Sequence, residues 1–141
     1  MIILLLGLLG ILPLQSAIVD MPGTWVAEHR GTTFIRLELK AADGILAGTM
    51  GTGTVAFDNN GEVIEAAARL SPTMTPLLEV TVDGSSVSFA THEGNDTDHF
   101  RLTVVSADQA ELTFIWTEEL LEELKDEGIP VPKPFRLRRL R

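Results

Sequence analysis

Apolar and polar residues alternate along most of this chain, and the alternation is clearest from residue 32 onward. In TTFIRLELK, residues 32–40, the odd-numbered positions 33–39 fall on one face, and the charged Arg36, Glu38 and Lys40 fall on the other. A period of two residues is typical of an antiparallel strand with one buried face. The pattern therefore predicts a strand over 32–40.

Similar segments follow, separated by short stretches rich in Gly, Asn, Asp and Ser that predict turns. The predicted turns are AADG (41–44), DNNG (58–61), DGSS (83–86) and ADQ (107–109). The predicted strands are ILAGTMGTGTVAF (45–57), EVIEAAARL (62–70), LLEVTV (77–82), VSFATH (87–92), DHFRLTVVS (98–106) and AELTFIW (110–116). SPTMTP (71–76) is predicted to be a loop because of its two prolines.

Alternation also predicts which side chains face the interior of the sheet. The predicted inward residues are Leu78, Val80, Val82, Val87, Phe89, Phe100, Leu102, Val104, Leu112, Phe114 and Trp116. In 62–70 the alternating positions are Ile64, Ala66, Ala68 and Leu70; the alanines also favour a helix, and we interpret the segment as a strand. Gly48, Gly51 and Gly53 predict bends or close backbone approach within the return strand.

Only TEELLEELKDEG, residues 117–128, breaks the period of two. Thr117 is a suitable N-cap, Gly128 a suitable stop, and Leu120, Leu121 and Leu124 share one side. The segment predicts a short acidic helix. IPVPKP then crosses in extended form to a last strand, FRLRRLR. We expect the acids of the helix to neutralise the cations of this strand, the alternative being a patch for a polyanion.

The first nineteen residues, MIILLLGLLGILPLQSAIV, carry no charge. The apolar run from Ile2 to Leu12 is short for a membrane span, and Pro13 interrupts it before the small residues Ser16 and Ala17. This predicts a signal peptide over 1–17, a folded domain over 20–141, and a secreted or periplasmic location in a bacterial envelope. The alternative is that residues 1–19 remain as a membrane anchor.

The composition of the chain argues against several kinds of partner and functional site. The chain has 141 residues, which is typical of one domain, and its formal net charge of -9 argues against nucleic acid and anionic membranes as partners. It has no cysteine, so it forms no disulfide and no thiolate metal site. No catalytic signature such as HExxH, GxSxG or a phosphate-binding loop is present in the sequence.

Many short strands and one late helix predict an all-β fold, an antiparallel up-and-down β-barrel of about eight to ten strands with a short helix before the last strand. GTW at residues 23–25, followed by LELKAADGILAGT, resembles the lipocalin-like (calycin) barrels of small secreted bacterial domains, and GTWVAEHRGTTFI with ADGILAGT is similar to the first hairpins of avidin-type barrels. The resemblance implies a barrel.

Independently of this resemblance, we expect the Trp25 side chain to close one end of the barrel. The alternative is that the Trp25 ring stacks on a ligand.

One polar cluster, THEGNDTDH, contains His92 and His99. A hairpin over 93–98 would place these two side chains opposite each other near Asp96 or Asp98, which makes them weak candidates for a metal site against an ordinary polar loop. No cofactor and no catalytic residue is predicted.

The sequence thus leads to three hypotheses, of which an enzyme is disfavoured by the missing motifs. The first is a non-catalytic exported barrel that binds a small apolar or amphipathic ligand in its interior, with the helix as a lid whose Leu120 and Leu124 face the mouth. The candidate ligand-binding residues are Trp25, Ile35, Leu37, Met50, Phe89, Phe114 and Trp116. The alternative is a structural or protein-interaction domain of the cell envelope with a solid core.

Overall fold

The computed structural model describes residues 20–69 and 73–141. The predicted signal peptide, Leu70 and the start of the predicted 71–76 loop lie outside these residues. In the described residues, eleven strands and one α-helix follow one another, so the predicted all-β class is confirmed. The described residues contain no helix that is long and apolar enough to cross a membrane.

The element bounds are β1 Gly23–His29, β2 Thr32–Ala42, β3 Ile45–Thr52, β4 Thr54–Phe57, β5 Val63–Ala67, β6 Thr75–Pro76, β7 Leu78–Asp83, β8 Ser86–Glu93, β9 Asp96–Ser106, β10 Gln109–Phe114, α1 Glu118–Asp126 and β11 Phe135–Leu140. The helix begins as predicted, because the Thr117 hydroxyl accepts a hydrogen bond from the Leu120 amide at 3.2 Å. Thr75–Pro76 is a short strand, so the loop prediction was wrong there.

Nine strands form one antiparallel sheet in the order β6-β3-β2-β1-β11-β10-β9-β8-β7. The two edge strands β6 and β7 are successive parts of one segment, residues 75–83, which pairs first with β3 and then with β8. At the junction, the Leu77 amide donates to the Gly48 carbonyl at 2.9 Å. This segment brings the sheet edges together into a nearly closed barrel, as predicted.

Strand direction defines two ends of the barrel. The lower end holds the start of β1, the end of β11 and the β2–β3, β7–β8 and β9–β10 turns. The upper end holds the β1–β2 and β8–β9 turns, the end of β10 and the start of β11. Trp25 lies at the lower end, fully buried, with its Nε1 donating to the Met21 carbonyl at 2.9 Å, as expected for a residue that closes the barrel.

Strands β4 and β5 leave the main sheet and pair only with each other among the described strands. We call residues 54–67 the covering hairpin. Its Val55, Phe57, Val63 and Ala66 pack against the buried core, and β5 lies close to β1 and β2. An apolar hairpin therefore packs over the upper part of the barrel.

Most of the predicted inward positions are correct. Val87, Phe89, Phe100, Leu102 and Leu112 are buried. Val80, Val82, Val104 and Phe114 are partly buried against the same core. The predicted close approach also holds, because a Cβ on Gly48 would lie 2.0 Å from the Glu38 carbonyl oxygen.

Four of the residues that alternation assigns to the buried face are exposed, namely Thr33, Ile64, Ala68 and Leu78. Local geometry accounts for Leu78 and Ile64. Leu78 is 42% exposed, and Leu77 packs on the core instead, because the β7–β8 register shifts between Leu78 and Thr81 and Glu79 adopts a left-handed φ of 52°. Ile64 is 53% exposed while its neighbour Val63 faces the core. In both cases a local irregularity changes the face that an alternating pattern assigns.

The helix is not packed as a lid. It contains no buried residue, and Leu120 is 41% exposed. The covering hairpin, rather than α1, supplies the apolar contacts over the upper end. The lid prediction was therefore wrong.

Two of the four arginines after Pro132 pair with acids, but these acids lie outside the helix. Arg138 pairs with Glu28, and Arg141 pairs with Asp108. None of the ion pairs found between described residues involves an acid of α1. The prediction that the acids of the helix neutralise the last strand was therefore wrong.

Candidate functional site

A cleft of about 520 Å³ lies at the upper end, between the turn of the covering hairpin and the start of β11. It is lined by Glu28, His29, Phe34, Gly61, Glu62, Val63, Glu111, Lys133, Pro134, Phe135 and Arg136. These residues come from β1, β2, the covering hairpin, β10, the connection before β11 and β11 itself. The cleft therefore exists only in the folded barrel.

Gly61 holds one wall of the cleft in place. Its φ is +80°, and a Cβ at this position would lie 2.1 Å from the Val131 carbonyl oxygen. Its carbonyl accepts a hydrogen bond from the Lys133 amide at 3.0 Å. Only glycine allows the turn to approach the extended segment before β11 this closely. Asp58 shapes the same turn, because its Oδ1 accepts from the amides of Asn60 at 2.8 Å and Glu62 at 3.0 Å.

The charged groups of the cleft are largely balanced. Lys133 Nζ lies 3.0 Å from Glu62 Oε1, and Glu28 pairs with Arg138 just outside the cleft. Glu111 and Arg136 stand directly opposite each other in the β10–β11 register. Because cations accompany the carboxylates, the cleft does not present a strong field of one sign.

Two aromatic rings form the apolar part of the cleft. Phe34 and Phe135 are each 6% exposed, and their ring centroids lie 5.6 Å apart in an edge-to-face arrangement. Phe34 reaches this position because the β1–β2 register skips it: Ala27 pairs with Ile35 and Glu28 with Thr33. A β-bulge thus turns a residue of the outer face into part of the cleft.

His29 contributes an unusual polar group. Its Nε2 atom is buried and has no hydrogen-bond partner among the described residues. A buried polar atom without a partner destabilises a fold by about 1–3 kcal/mol. His29 is therefore a lining residue of the cleft that carries a polar atom without a partner among the described residues.

The cleft adjoins a second groove. This groove measures about 420 Å³ and shares Glu28, Glu111 and Arg136 with the cleft. A separate groove of about 430 Å³ lies over Phe34, Gly51 and Met74. Its lining includes Arg69 and Met74, on either side of residues 70–72, which lie outside the described part of the chain.

All the aromatic residues except Trp25 form one connected cluster. Ring centroids lie 5.6 Å apart for Phe89 and Phe100, 4.8 Å for Phe100 and Phe114, 4.9 Å for Phe114 and Trp116, 6.0 Å for Phe114 and Phe135, and 6.1 Å for Phe57 and Phe135. The cluster runs from the barrel interior to the wall of the cleft. Phe135 belongs to both, so it links core packing to the shape of the site.

The seven ligand-binding residues predicted from the sequence lie elsewhere. Trp25, Ile35, Leu37, Met50 and Phe89 are each at most 4% exposed and pack in the core. Phe114 is partly buried, and Trp116 lies beyond the end of β10. None of the seven lines the cleft. Alternation identifies residues that point inward, but it cannot distinguish a residue that lines a cavity from one that fills the interior.

The barrel interior holds an enclosed space of about 30 Å³ near the upper end. It is lined by Met50, Thr52, Thr73, Thr75, Thr91, Glu93, Asp98 and Phe100. Burial, followed by the nearby charges of Asp96 and Glu93, raises the pKa of Asp98, and His99 opposes the rise. The space has room for about one or two waters and not for an organic ligand.

The two histidines considered for metal binding are not opposite each other. A two-residue turn sets the β8–β9 register so that His92 pairs with Thr97, and His99 pairs with Ala90. His92 Nδ1 lies 2.9 Å from the Thr97 hydroxyl, while Asp98 lines the interior space on the other face of the sheet. The predicted juxtaposition was wrong, and the described residues contain no group of three side chains arranged to hold a metal ion.

We found no match to this chain among protein-family models, among curated proteins or among solved structures. The fold is consistent with a calycin-like barrel.

Proposed function

We propose that this protein is an exported, non-catalytic β-barrel module that binds a small amphipathic molecule in the cleft beneath the covering hairpin. The observation that carries the proposal is a cleft of about 520 Å³ in which charged groups surround two phenylalanine rings. Export rests on the uncharged, apolar leader of the sequence.

The size of the cleft supports this site over the barrel interior. Small-molecule sites measure about 300–1,000 Å³. The enclosed space inside the barrel measures about 30 Å³, an order of magnitude below that range. A ligand therefore fits the cleft without any rearrangement of the core.

The lining favours a ligand with separate polar and apolar parts. An apolar group would lie against Phe34 and Phe135, and polar groups would reach Glu111, Arg136 and His29. Because the charges are balanced, a neutral or zwitterionic molecule suits the cleft better than a strongly charged one. A hydrogen bond to His29 Nε2 would remove an unfavourable feature of the free protein.

Two of the three carboxylates that line the cleft are held in ion pairs, which leaves Glu111 and His29 as its carboxylate and imidazole without an ion pair among the described residues. Glu62 is held by Lys133, and Glu28 by Arg138. A general base requires a free carboxylate or imidazole within reach of the substrate proton. A carboxylate that is held by a neighbouring cation is less suited to this role than to the binding of a polar ligand group.

Ligand-observed NMR with a library of small amphipathic molecules tests the proposal, followed by titration of each hit. His29→Phe keeps an aromatic side chain but removes the ring nitrogens, and Glu111→Gln removes the negative charge of the side chain. We expect each to weaken binding of the hits by about tenfold, equivalent to about 1.4 kcal/mol. The matched controls, His99→Phe and Glu65→Gln, should bind as the wild type does.

Two results would overturn the proposal. A ligand that binds only the folded state raises the melting temperature of the protein. The first contradicting result is therefore that no hit raises the melting temperature of the wild type at saturation. The other is a set of hits whose affinity is insensitive to both cleft variants but is lost in Trp116→Ala. That result would assign the ligand to the interior aromatic cluster.

A further inference from the structure

The connection between β10 and β11 carries an unusual concentration of exposed apolar side chains. Nine large apolar residues are exposed in the described part of the chain. Five of them fall between residues 115 and 131, namely Ile115, Leu120, Leu121, Ile129 and Val131. We call the exposed side chains of residues 115–131 the crossover surface. Scattered exposed apolar residues are normal, whereas such a concentration is typical of an interaction site.

The helix at the centre of this surface is strongly amphipathic. At about 100° per residue, Leu120, Leu121 and Leu124 occupy one side, and the acids occupy the opposite half of the helix. Leu120 and Leu121 are 41% and 38% exposed, and the helix has no buried residue. Leu124 is half-buried, so the rest of the molecule covers the apolar side of the helix only in part.

The charge of the helix is not neutralised by the rest of the molecule. Residues 118–127 contain six acids and one cation, Lys125, which leaves five net negative charges. Three cations after Pro132 pair with acids outside the helix, namely Lys133 with Glu62, Arg138 with Glu28 and Arg141 with Asp108, and none of the ion pairs found between described residues joins Arg136 to α1. Arg139 donates to the Ala107 carbonyl at the lower end.

We propose that the crossover surface docks a cationic amphipathic segment of a partner protein. Apolar side chains of the partner would cover the leucine side of α1, and its Lys or Arg side chains would meet the flanking acids. This inference does not depend on ligand binding in the cleft, because it rests on different side chains.

The charge argues against two other occupants. A second copy of the chain docked helix to helix would bring two clusters of five negative charges together, which costs free energy at ordinary ionic strength. Anionic membranes are repelled for the same reason. A cationic partner gains from both the apolar and the charged parts of the surface.

The probe is a synthetic amphipathic helix of Leu and Lys, titrated into the folded domain and followed by isothermal calorimetry and backbone NMR. We expect saturable binding, with shifts confined to residues 115–131, that weakens as salt is added. A peptide of the same composition in scrambled order keeps the charge but not the amphipathic face, and it should bind at least about tenfold more weakly.

Variants separate the apolar and charged contributions. Leu120→Ala with Leu124→Ala preserves helix propensity and should reduce affinity by about tenfold or more. Glu122→Gln with Glu123→Gln should reduce both the affinity and its salt dependence. The controls are Ile45→Ala, at the lower end and 70% exposed, and Glu38→Gln; neither should change binding. Circular dichroism verifies that α1 remains folded in each variant.

Three outcomes would overturn the proposal. They are equal binding of the ordered and scrambled peptides, affinity unchanged in the double leucine variant, and self-association of the wild type that the leucine variant abolishes. The last would identify a second copy as the occupant. Binding of the protein to phosphatidylcholine vesicles through the same leucines would likewise replace the partner by a lipid surface.

Discussion

The guanidinium carbon of Arg139 lies 4.3 Å from the centroid of the Trp25 ring, and the two residues are direct partners in the β1–β11 register. Arg139 Nε donates to the Ala107 carbonyl at 2.8 Å, and Nη1 donates to the Pro22 carbonyl at 2.5 Å. One side chain thus joins the first strand, the last strand and the β9–β10 turn over a buried indole. This pair closes the lower end of the barrel.

Replacing Trp25 with alanine should lower the free energy of unfolding by about 3–5 kcal/mol, because the change leaves a cavity in the core and a guanidinium without its ring. Urea denaturation followed by circular dichroism measures the loss. Trp116→Ala, beyond the end of β10, is the control and should have a smaller effect. A Trp25→Ala protein as stable as the control would contradict the closing role.

Arg139→Lys keeps the positive charge but loses the planar group that serves several carbonyls and stacks on the ring. We expect a loss of about 1–3 kcal/mol. Arg138→Lys is the matched control, because Arg138 is exposed and pairs with one carboxylate, and it should change stability by less than about 1 kcal/mol. Equal effects of the two substitutions would show that charge alone matters at position 139.

Gly61→Ala should destabilise the protein more than Gly44→Ala. Both glycines have a positive φ, +80° and +76°, but only at Gly61 would a Cβ meet a neighbouring backbone, the Val131 carbonyl at 2.1 Å. Gly44→Ala therefore carries only the backbone strain, about 1–2 kcal/mol. Hydrogen exchange at the Lys133 amide, which donates to Gly61, reports the local loss of contact. Equal stability of the two variants would mean that the cleft wall moves freely.

Asp98→Asn should stabilise the protein at neutral pH. The pKa of Asp98 is raised above its ordinary value of 3.8, first by burial and then by Asp96 and Glu93. The folded state therefore binds more protons than the unfolded state in the window above pH 3.8, so the free energy of unfolding falls as the pH rises through that window.

The asparagine variant lacks this titration, so its advantage in melting temperature at pH 7 should disappear as the pH falls below about 3.8. Asp83→Asn, at the end of β7, controls for the change in net charge. An advantage of Asp98→Asn that is independent of pH would contradict the assignment.

Thr117→Ala should lower the stability of α1 by about 0.5–2 kcal/mol, because the hydroxyl that accepts from the Leu120 amide is lost. The helix contains no buried residue, so we expect a smaller helical signal in circular dichroism with little change in global unfolding. Thr117→Ser, which retains the hydroxyl, should behave as the wild type. A large drop in global stability would mean that α1 supports the barrel.

Much of the fold could be predicted from local patterns. Alternation identified β2 and the inward Phe89, Phe100 and Leu102, and Thr117 and Gly128 predicted the helix. These signals are local, because the face of a residue depends on its neighbours in the strand and a helix end depends on its cap. Where a bulge interrupts the strand, as at Glu79, the same pattern assigns the wrong face.

The position of the cleft could not be predicted from the sequence, because it depends on the tertiary structure. Gly61, His29 and Phe135 come from distant parts of the chain, and no spacing in the sequence announces that they meet. The covering hairpin leaves the barrel, a one-residue bulge redirects Phe34, and a two-residue turn separates His92 from its predicted partner. Alternating side chains specify an antiparallel barrel because strand geometry is local. Registers, bulges and the packing between segments decide where that barrel has a cleft, because they depend on contacts between residues far apart in the chain.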